Sequence, residues 1–208
     1  EDYLKQRSQI IDLSKAQEMG FGVPKPSGTV YLTAADQNGM MVSYIQSNRM
    51  GFGSGIVVPG TGISLQNRAV DFNLKEGHPN QVGGGKRPFH TIIPAFLMKD
   101  GQPEMSFGVM GGPMQAQGHV QLVLRMLVYG QNPQTAVDGP RWQVLDGLNV
   151  AIEEDFSANV LSQLESRGHQ LQRKPRQPFF GGAQLIYRME DGYCGASEPR
   201  KEGQAVGF

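Results

Sequence analysis

Glycine constrains the fold of this chain more than any other residue type. The 28 glycines among 208 residues occur as pairs and short clusters, without a three-residue period. This distribution is typical of tight turns and close backbone approaches, and it differs from that of collagen or a flexible linker. We therefore expect short elements joined by tight turns along most of the sequence.

Runs of β-branched and aromatic residues between these turns predict hairpins in the first half of the chain. TVYLTAAD begins at Thr29 and is followed by the turn QNG and the run MMVSYIQS. GSGIVV to ISLQN predicts a second strand–turn–strand unit, and KRPFHTIIPAFLMKDGQPEMSFGVM predicts a third. Pro88 and Pro94 place part of the third unit at a sheet edge or a bulge.

Helical spacing replaces strand spacing after GGPMQAQ. The predicted helix ends at Gly130, and one face of it carries His119, Leu122, Val123, Met126 and Leu127. Further along, NPQTAVDGPRW predicts a short helix, NVAIEE a strand, SANVLSQLESRGH a helix capped by Ser157, and AQLIYRMEDGYCGASEP a final hairpin. Residues 1–19 also predict a helix. Strands, then helices, then strands indicate an α+β domain and not a doubly wound α/β fold.

Composition argues against several classes of function. Lys+Arg and Asp+Glu are balanced at 19 each, so no basic surplus indicates a nucleic-acid partner. No apolar run approaches the roughly 20 residues of a membrane span. The single Cys194 excludes an internal disulfide, and no HExxH or CxxC pattern supports a metal site. The charged start EDYLKQRSQI does not have the pattern of a secretory signal. The localisation stays open between a prokaryotic cytoplasm and a periplasm.

The junction between Gly28 and Thr29 is the first candidate for chemistry. A Thr hydroxyl can attack the preceding carbonyl and move the acyl group to oxygen for hydrolysis, and a preceding Gly leaves that carbonyl unobstructed. The product is an N-terminal Thr whose free amine can act as base for its own hydroxyl. The alternative is a β-branched residue that simply opens a strand.

Other stretches supply possible partners for this chemistry. Gly111 and Gly112 in GVMGGPMQ lie between a predicted strand and a predicted helix, where backbone amides can donate to an oxyanion or form only a tight turn. NRAVDFN supplies Asp71, and KRPFHTIIP supplies His90 and Thr91. A lone Asp in a loop is usually a turn former, and a lone His is usually structural.

In order along the chain, these motifs resemble the small subunit of γ-glutamyltranspeptidases, which are N-terminal-nucleophile hydrolases. The resemblance rests on TVYLTAADQNG, GFGSGIVVPGTGISLQNRAVDF, GKRPFHTIIPAFLMKDGQP, GVMGGPMQ, DGPRW and YCGASEPR. It implies a four-layer αββα sandwich at the C-terminal end of a longer proenzyme. Residues 1–28 then form the tail of the large subunit with a linker, and residues 29–208 form the catalytic small-subunit domain.

The same resemblance implies a catalytic set. Thr29 matches the nucleophile that is freed by cleavage of the Gly28–Thr29 bond. Ser47 stands where the family has a Thr that hydrogen-bonds the nucleophile, and it keeps the hydroxyl. Gly111 and Gly112 match the glycines that hold the oxyanion.

The implied substrate pocket departs from the family pattern. Asp71 matches the Asp that holds the substrate α-amino group, whereas Arg49 replaces an Asn and Arg68 a Gln of the same pocket. His90 and Thr91 replace a Ser pair that binds the α-carboxylate. Arg68 can pair with Asp71 and neutralise it, or it can recruit a second carboxylate. This pattern fits the γ-glutamyltransferase-like or cephalosporin acylase-like branch of the family.

The resemblance therefore implies a self-cleaving N-terminal-threonine amidohydrolase or acyltransferase. Its substrates would be γ-glutamyl amides such as glutathione, and no cofactor or metal would be required. The large subunit of the same precursor would be its partner in a heterodimer, with a higher oligomer as a further possibility. Two alternatives stay open, a glutaryl-type, cephalosporin-like amide acylase and a catalytically silent, uncleaved homologue.

Overall fold

The computed structural model describes Lys5, Gln6, Gln9 and residues 28–208. Apart from those three positions, the helix predicted over residues 1–19 lies outside the described residues. Within residues 28–208, nine strands form three sheets. Numbered in chain order, they are β1 (Thr29–Ala35), β2 (Met41–Ser47), β3 (Ala95–Lys99), β4 (Gln102–Met110), β5 (Trp142–Asp146), β6 (Asn149–Glu153), β7 (Gln170–Lys174), β8 (Gly182–Met189) and β9 (Gly192–Ser197).

Strands β1 and β2 form the predicted first hairpin. They pair antiparallel, with Thr29 opposite Ser47 at the open end and Ala35 opposite Met41 next to the turn. The turn forms because the Asp36 carboxylate accepts hydrogen bonds from the backbone N–H groups of Asn38 and Met40. The hairpin thereby brings the first residue of β1 and the last residue of β2 side by side.

A four-stranded sheet in the order β3-β4-β8-β9 forms the centre of the chain. Its neighbouring strands all pair antiparallel, and β3 lies at the edge with a register shift between Leu97 and Met98. Pro88 and Pro94 precede this edge strand, so the predicted edge or bulge is confirmed.

Strand β4 separates two layers because its side chains alternate between the two faces of the sheet. Ser106 bonds to Thr33 of the hairpin, and a Cβ at Gly108 would collide with the Tyr31 ring. On the opposite face, the buried core contains Met105, Phe107, Val109, Leu122, Met126, Ala136, Val137, Ala183, Leu185 and Ala196. The layers are therefore the hairpin, the sheet and the helices, in that order.

Two helices cover the second face of the sheet. Helix α1 (Met114–Val123) runs into a π-helical turn (Leu124–Val128), and α2 (Pro133–Asp138) is capped by Asn132, whose Oδ1 accepts from the Thr135 N–H at 2.9 Å. Leu122 and Met126 are buried as predicted, whereas Leu127 is exposed. The π-helical turn changes the residue spacing, which takes Leu127 off the apolar face.

The third sheet has the order β5-β6-β7, with β6 and β7 parallel. Helix α3 (Ala158–Ser166) connects these two strands, and Ser157 caps it as predicted by accepting from the Val160 N–H. The strands predicted in GSGIVV and ISLQN are wrong. That segment holds only an isolated bridge between Val57 and Ser64, and Ile56, Val57, Ile63 and Leu65 within it are exposed.

A buried ionic cluster joins α2 to the ends of β6 and β9. Arg200 makes two hydrogen bonds to Glu153 and one to Glu198, and Arg141 bonds to Glu198. All four side chains are buried, and Glu153 is completely so. The two arginines also donate to the carbonyls of Val137, Gly139 and Phe180. The two arginines and two glutamates therefore neutralise each other, and the arginines also meet the hydrogen-bonding needs of the adjacent backbone carbonyls.

Candidate active site

A chain of hydrogen bonds joins the Thr29 hydroxyl, the Ser47 hydroxyl and the Gly28 carbonyl at the open end of the β1–β2 hairpin. Thr29 Oγ1 donates to Ser47 Oγ at 3.0 Å, as expected from the sequence. The Ser47 hydroxyl in turn donates to the Gly28 carbonyl oxygen at 2.7 Å and accepts from the Arg49 N–H at 3.0 Å. One hydroxyl thus contacts both the candidate nucleophile and the carbonyl of the peptide bond before it.

A close backbone approach favours glycine at position 28. A Cβ there would lie 3.1 Å from the Arg49 carbonyl oxygen and 3.4 Å from the Gly51 nitrogen. Arg49 itself has a φ of 75°, a left-handed conformation that is unfavourable for a residue with a side chain. The loop after β2 therefore lies against the candidate cleavage site in a strained conformation.

The Thr29 side chain lies on the face of β1 that packs against the central sheet. Thr29 and Tyr31 share that face, whereas Val30 between them is exposed. Tyr31 packs in a small cluster with Ile93 and Met110. Because Met110 immediately precedes Gly111, the hairpin directs Thr29 toward the end of β4 that carries the two glycines.

Gly111 and Gly112 form the turn between β4 and α1. Their φ values are 145° and 60°, in the region that favours glycine, and a Cβ at Gly111 would lie 2.9 Å from Gly181 Cα. Their carbonyls accept the first bonds of α1, from Met114 and Gln115. Within residues 28–208 neither glycine N–H is bonded to a backbone carbonyl, which leaves both as donors for an oxyanion.

Thr91 is bound to this turn. Its Oγ1 donates to the Gly112 carbonyl oxygen at 2.8 Å, so the hydroxyl that sequence assigned to a substrate carboxylate is engaged by the protein. His90 is exposed, and its Nδ1 accepts only a long bond from the Ile92 N–H at 3.4 Å. The structure therefore joins Thr91 to the glycine turn and leaves His90 at the surface.

Asp71 is paired with Arg49. Arg49 Nε and Nη2 donate to the two Asp71 oxygens at 2.7 Å and 2.6 Å in a bidentate ion pair. The hydrogen bond from Arg49 holds the pKa of Asp71 below its ordinary value, and the charge of Arg68 adds a smaller effect. Of the two alternatives for Arg68, the ion pair with Asp71 is not formed: Arg68 makes no ion pair with a described residue, and Arg49 is the partner of Asp71.

No group of three or more His, Cys, Asp or Glu side chains within the described part of the chain is arranged to hold a metal ion. A cavity of about 840 Å³ lies between the β3–β4 and β8–β9 turns, and none of the predicted site residues line it. None of the helices described is long and apolar enough to cross a membrane.

This arrangement contains groups of the kind that acyl transfer uses. It has the Thr29 hydroxyl, a second hydroxyl in contact with it and, in the β4–α1 turn, two N–H groups that no described backbone carbonyl accepts. Sequence reasoning missed the Arg49–Asp71 pair, the Thr91–Gly112 bond and the contact of Gly181 with Gly111. The glycine at position 181, which follows the dipeptide FF, was a visible signal for the last of these.

Comparison with known proteins agrees with this geometry. The family model described as gamma-glutamyltranspeptidase matches residues 1–208. A glutathione hydrolase-like YwrD proenzyme of Bacillus subtilis is 37% identical over 93% of this chain and 39% of its own length. An oxamate amidohydrolase proenzyme of Klebsiella pneumoniae is 34% identical over 99% of this chain and 40% of its own length. The chain thus spans about two fifths of these curated relatives.

Solved structures show the same fold. A cephalosporin acylase from Bacillus halodurans has a TM-score of 0.79 and 49% identity, over 86% of this chain and 34% of that one. A gamma-glutamyltranspeptidase from Pseudomonas nitroreducens has a TM-score of 0.73 and 23% identity, over 86% of this chain and 98% of that one. The predicted α+β fold class, that of the N-terminal-nucleophile hydrolases, is confirmed.

Proposed function

This chain belongs to the γ-glutamyltranspeptidase family, and from that premise we propose that it carries the catalytic part of a self-cleaving N-terminal-threonine amidohydrolase and acyltransferase. Residues 29–208 are the small-subunit domain, and residues 1–28 are the tail of the large subunit with its linker. The observation that carries the proposal is the hydrogen-bond chain from Thr29 through Ser47 to the Gly28 carbonyl.

Self-cleavage uses this chain as a proton relay. Thr29 Oγ1 attacks the Gly28 carbonyl carbon while its proton passes to Ser47, and Ser47 delivers its own proton to the Gly28 oxygen. The tetrahedral intermediate then expels the Thr29 nitrogen, which takes up the proton of the intermediate's new hydroxyl, and an ester remains. Water hydrolyses that ester to a Gly28 carboxylate and restores the Thr29 hydroxyl.

Substrate hydrolysis repeats the chemistry with the freed terminus. The Thr29 amine accepts the proton of its own hydroxyl as Oγ1 attacks a substrate amide carbonyl. The N–H groups of Gly111 and Gly112 stabilise the oxyanion, and the amine of the substrate leaves with a proton. Water then releases the acyl group as an acid, or an acceptor amine takes it in a transfer reaction. The amine, hydroxyl and amide groups complete this cycle without a cofactor.

The large subunit of the same precursor is the proposed partner. The outer face of the β1–β2 hairpin exposes Val30, Leu32, Val42 and Tyr44, with exposed fractions of 61%, 47%, 46% and 46%. An apolar sheet face of this kind is usually covered by another layer. The chain spans only about two fifths of its curated relatives, so a larger protein has ample sequence to supply that layer.

Two acyl classes are candidates for the substrate. γ-Glutamyl amides such as glutathione agree with the glutathione hydrolase-like relative, and glutaryl-type amides agree with the cephalosporin acylase neighbour. Oxamate, which the name of a third relative specifies, is an amide that carries a carboxylate and no α-amino group. The Arg49–Asp71 pair specifically favours the second class, because it occupies the carboxylate that would receive a substrate ammonium.

The test is a pair of substitutions in the full-length protein. The wild-type protein should yield a fragment that begins at Thr29 by intact-mass analysis, and it should hydrolyse γ-glutamyl or glutaryl anilides. Thr29→Ala should remain a single inactive chain, whereas Thr61→Ala in an exposed loop should behave as the wild type. An uncut Thr29→Ala protein with full amidase activity would refute the proposal, and an uncut, inactive wild-type protein would favour the silent homologue.

A further inference from the structure

We propose that Arg49 permanently fills the ammonium subsite of the acyl pocket, so that the enzyme selects acyl groups with a terminal carboxylate and no α-amino group. This inference rests on the proposed function, because it assumes that Thr29 is the nucleophile. It goes further by assigning the discrimination to one residue, Arg49, which stands where the resemblance gives the family an Asn.

The position of Arg49 ties the pair to the nucleophile. Its N–H lies 3.0 Å from Ser47 Oγ, and Ser47 Oγ lies 3.0 Å from Thr29 Oγ1. The guanidinium of the same residue holds Asp71. Arg49 therefore links the two groups, because its backbone contacts Ser47 and its side chain contacts Asp71.

The pair makes Asp71 a poor acceptor for a substrate ammonium. Arg49 bonds both oxygens of Asp71, and the exposed fractions of the two side chains are only 30% and 19%. Charge-assisted bidentate pairs are the strongest hydrogen-bonded contacts between side chains. A substrate ammonium would compete with the guanidinium for the same two oxygens and would meet its positive charge.

Both partners are anchored through their backbones. Arg49 is fixed by its bond to Ser47 and by the contact of its carbonyl with Gly28. Asp71 ends a short 3-10 helix, Arg68–Asp71, and its carbonyl oxygen accepts from Asn80 Nδ2 at 2.7 Å. The backbone of each partner is therefore held in place, so the ion pair does not join two freely moving side chains.

Arg68 completes the charge pattern. It precedes Asp71 by one helical turn, is half-buried and forms no salt bridge with any described side chain. Arg49, Arg68 and Asp71 together carry one net positive charge. That charge matches a single substrate carboxylate, whereas the zwitterionic end of a γ-glutamyl group has no net charge to complement it.

Glutaryl and γ-glutamyl anilides provide a matched test because they differ only by the α-ammonium group. The cleaved wild-type protein should prefer the glutaryl anilide in kcat/KM by at least about 10-fold. Asp71→Asn should change kcat/KM for the glutaryl anilide and kcat/KM for the γ-glutamyl anilide by the same factor, to within about 3-fold, since Asp71 does not receive the ammonium. Arg49→Asn should uncover Asp71 and raise the γ-glutamyl-to-glutaryl ratio by roughly 30-fold.

Arg188→Asn, an equivalent substitution at an exposed site on β8, should leave the ratio unchanged. A wild-type preference for γ-glutamyl above about 100-fold, or a selective loss of γ-glutamyl turnover in Asp71→Asn, would overturn the inference. Calorimetric titration with glutarate and with L-glutamate separates it from the proposed function. Tighter binding of glutarate by a protein that hydrolyses neither anilide would support the subsite while refuting the enzyme, and this readout also serves if Arg49→Asn fails to cleave.

Discussion

The Ser47 hydroxyl donates a hydrogen bond to the Gly28 carbonyl oxygen at 2.7 Å while it accepts one from Thr29 Oγ1 at 3.0 Å. A single side chain thus contacts the electrophile and the nucleophile of one proposed reaction. Cleavage would remove the Gly28 carbonyl from this arrangement and leave Thr29 as the partner of Ser47. The contact with Gly28 therefore acts only before cleavage, whereas the contact with Thr29 remains after it.

Ser47→Ala should slow self-cleavage by roughly 100-fold, because a polarising donor and a proton relay are both lost. Ser47→Thr should cleave at close to the wild-type rate, since it keeps the hydroxyl. The measurement is a time course on denaturing gels with the full-length precursor, with Ser54→Ala in an exposed loop as the control. Cleavage of Ser47→Ala at the wild-type rate would exclude the relay.

Thr91→Val should lower kcat by roughly 10-fold, or about 1.4 kcal/mol, with little change in KM. The lost hydroxyl holds the Gly112 carbonyl at 2.8 Å and so fixes the turn that donates to the oxyanion. Thr91→Ser should restore kcat. A large rise in KM with kcat unchanged would instead mean that Thr91 binds the substrate carboxylate, as the family pattern implies.

Glu198→Gln should destabilise the protein by about 3–5 kcal/mol, because it leaves the buried Arg141 and Arg200 undercompensated. Glu165→Gln removes one partner of an exposed pair with Arg173 and should cost less than about 1 kcal/mol. Urea unfolding of both variants against the wild type measures the difference. Equal losses in the two variants would show that the buried cluster has no special role.

The stability of the fold should depend on pH through His119. Burial lowers the pKa of this side chain, which donates from Nδ1 to the Gln115 carbonyl and accepts at Nε2 from the Val109 N–H. Below its ordinary pKa of 6.5 the unfolded state binds a proton that the folded state does not. The contribution of His119 to the free energy of unfolding is therefore fully present above pH 6.5 and is lost as the pH falls through the lowered pKa.

The matched variant is His119→Gln, which keeps an acceptor for the Val109 N–H and does not titrate. Urea midpoints measured in steps between pH 7.5 and about pH 5 should fall less steeply in this variant than in the wild type. If the urea midpoints of the variant and the wild type fell equally steeply with pH, a group other than His119 would be responsible for the pH dependence.

Most of the regular structure followed from local sequence signals. The hairpins at Asp36 and at Asp100 were predictable because their turns are built from residues close in sequence. Strand β7 was missed because QLQRK is largely polar and pairs in parallel with β6 only after α3 has crossed between them. Leu127 was misplaced because nothing in LRMLV distinguishes a π-helical turn from an α-helical one.

Some contacts of the candidate site could likewise be predicted from local sequence, and others could not. Thr29 and Ser47 were predictable as partners because the QNG turn fixes the register that places them opposite each other. The pairing of Asp71 with Arg49 in preference to Arg68 was not, because it depends on how two irregular segments 22 residues apart pack together. The bond from Thr91 to Gly112 likewise depends on tertiary contact alone.

The apolar outer face of the β1–β2 hairpin has a consequence for how such a protein is made. Two separately synthesised halves would have to find each other while each exposed a surface prone to aggregation. A precursor that carries both halves on one polypeptide supplies them in equal amounts, and at an effective concentration in the millimolar range for a short linker. Because the proposed relay needs the β1–β2 hairpin that places Thr29 opposite Ser47, the link between the halves is severed only after that hairpin has folded.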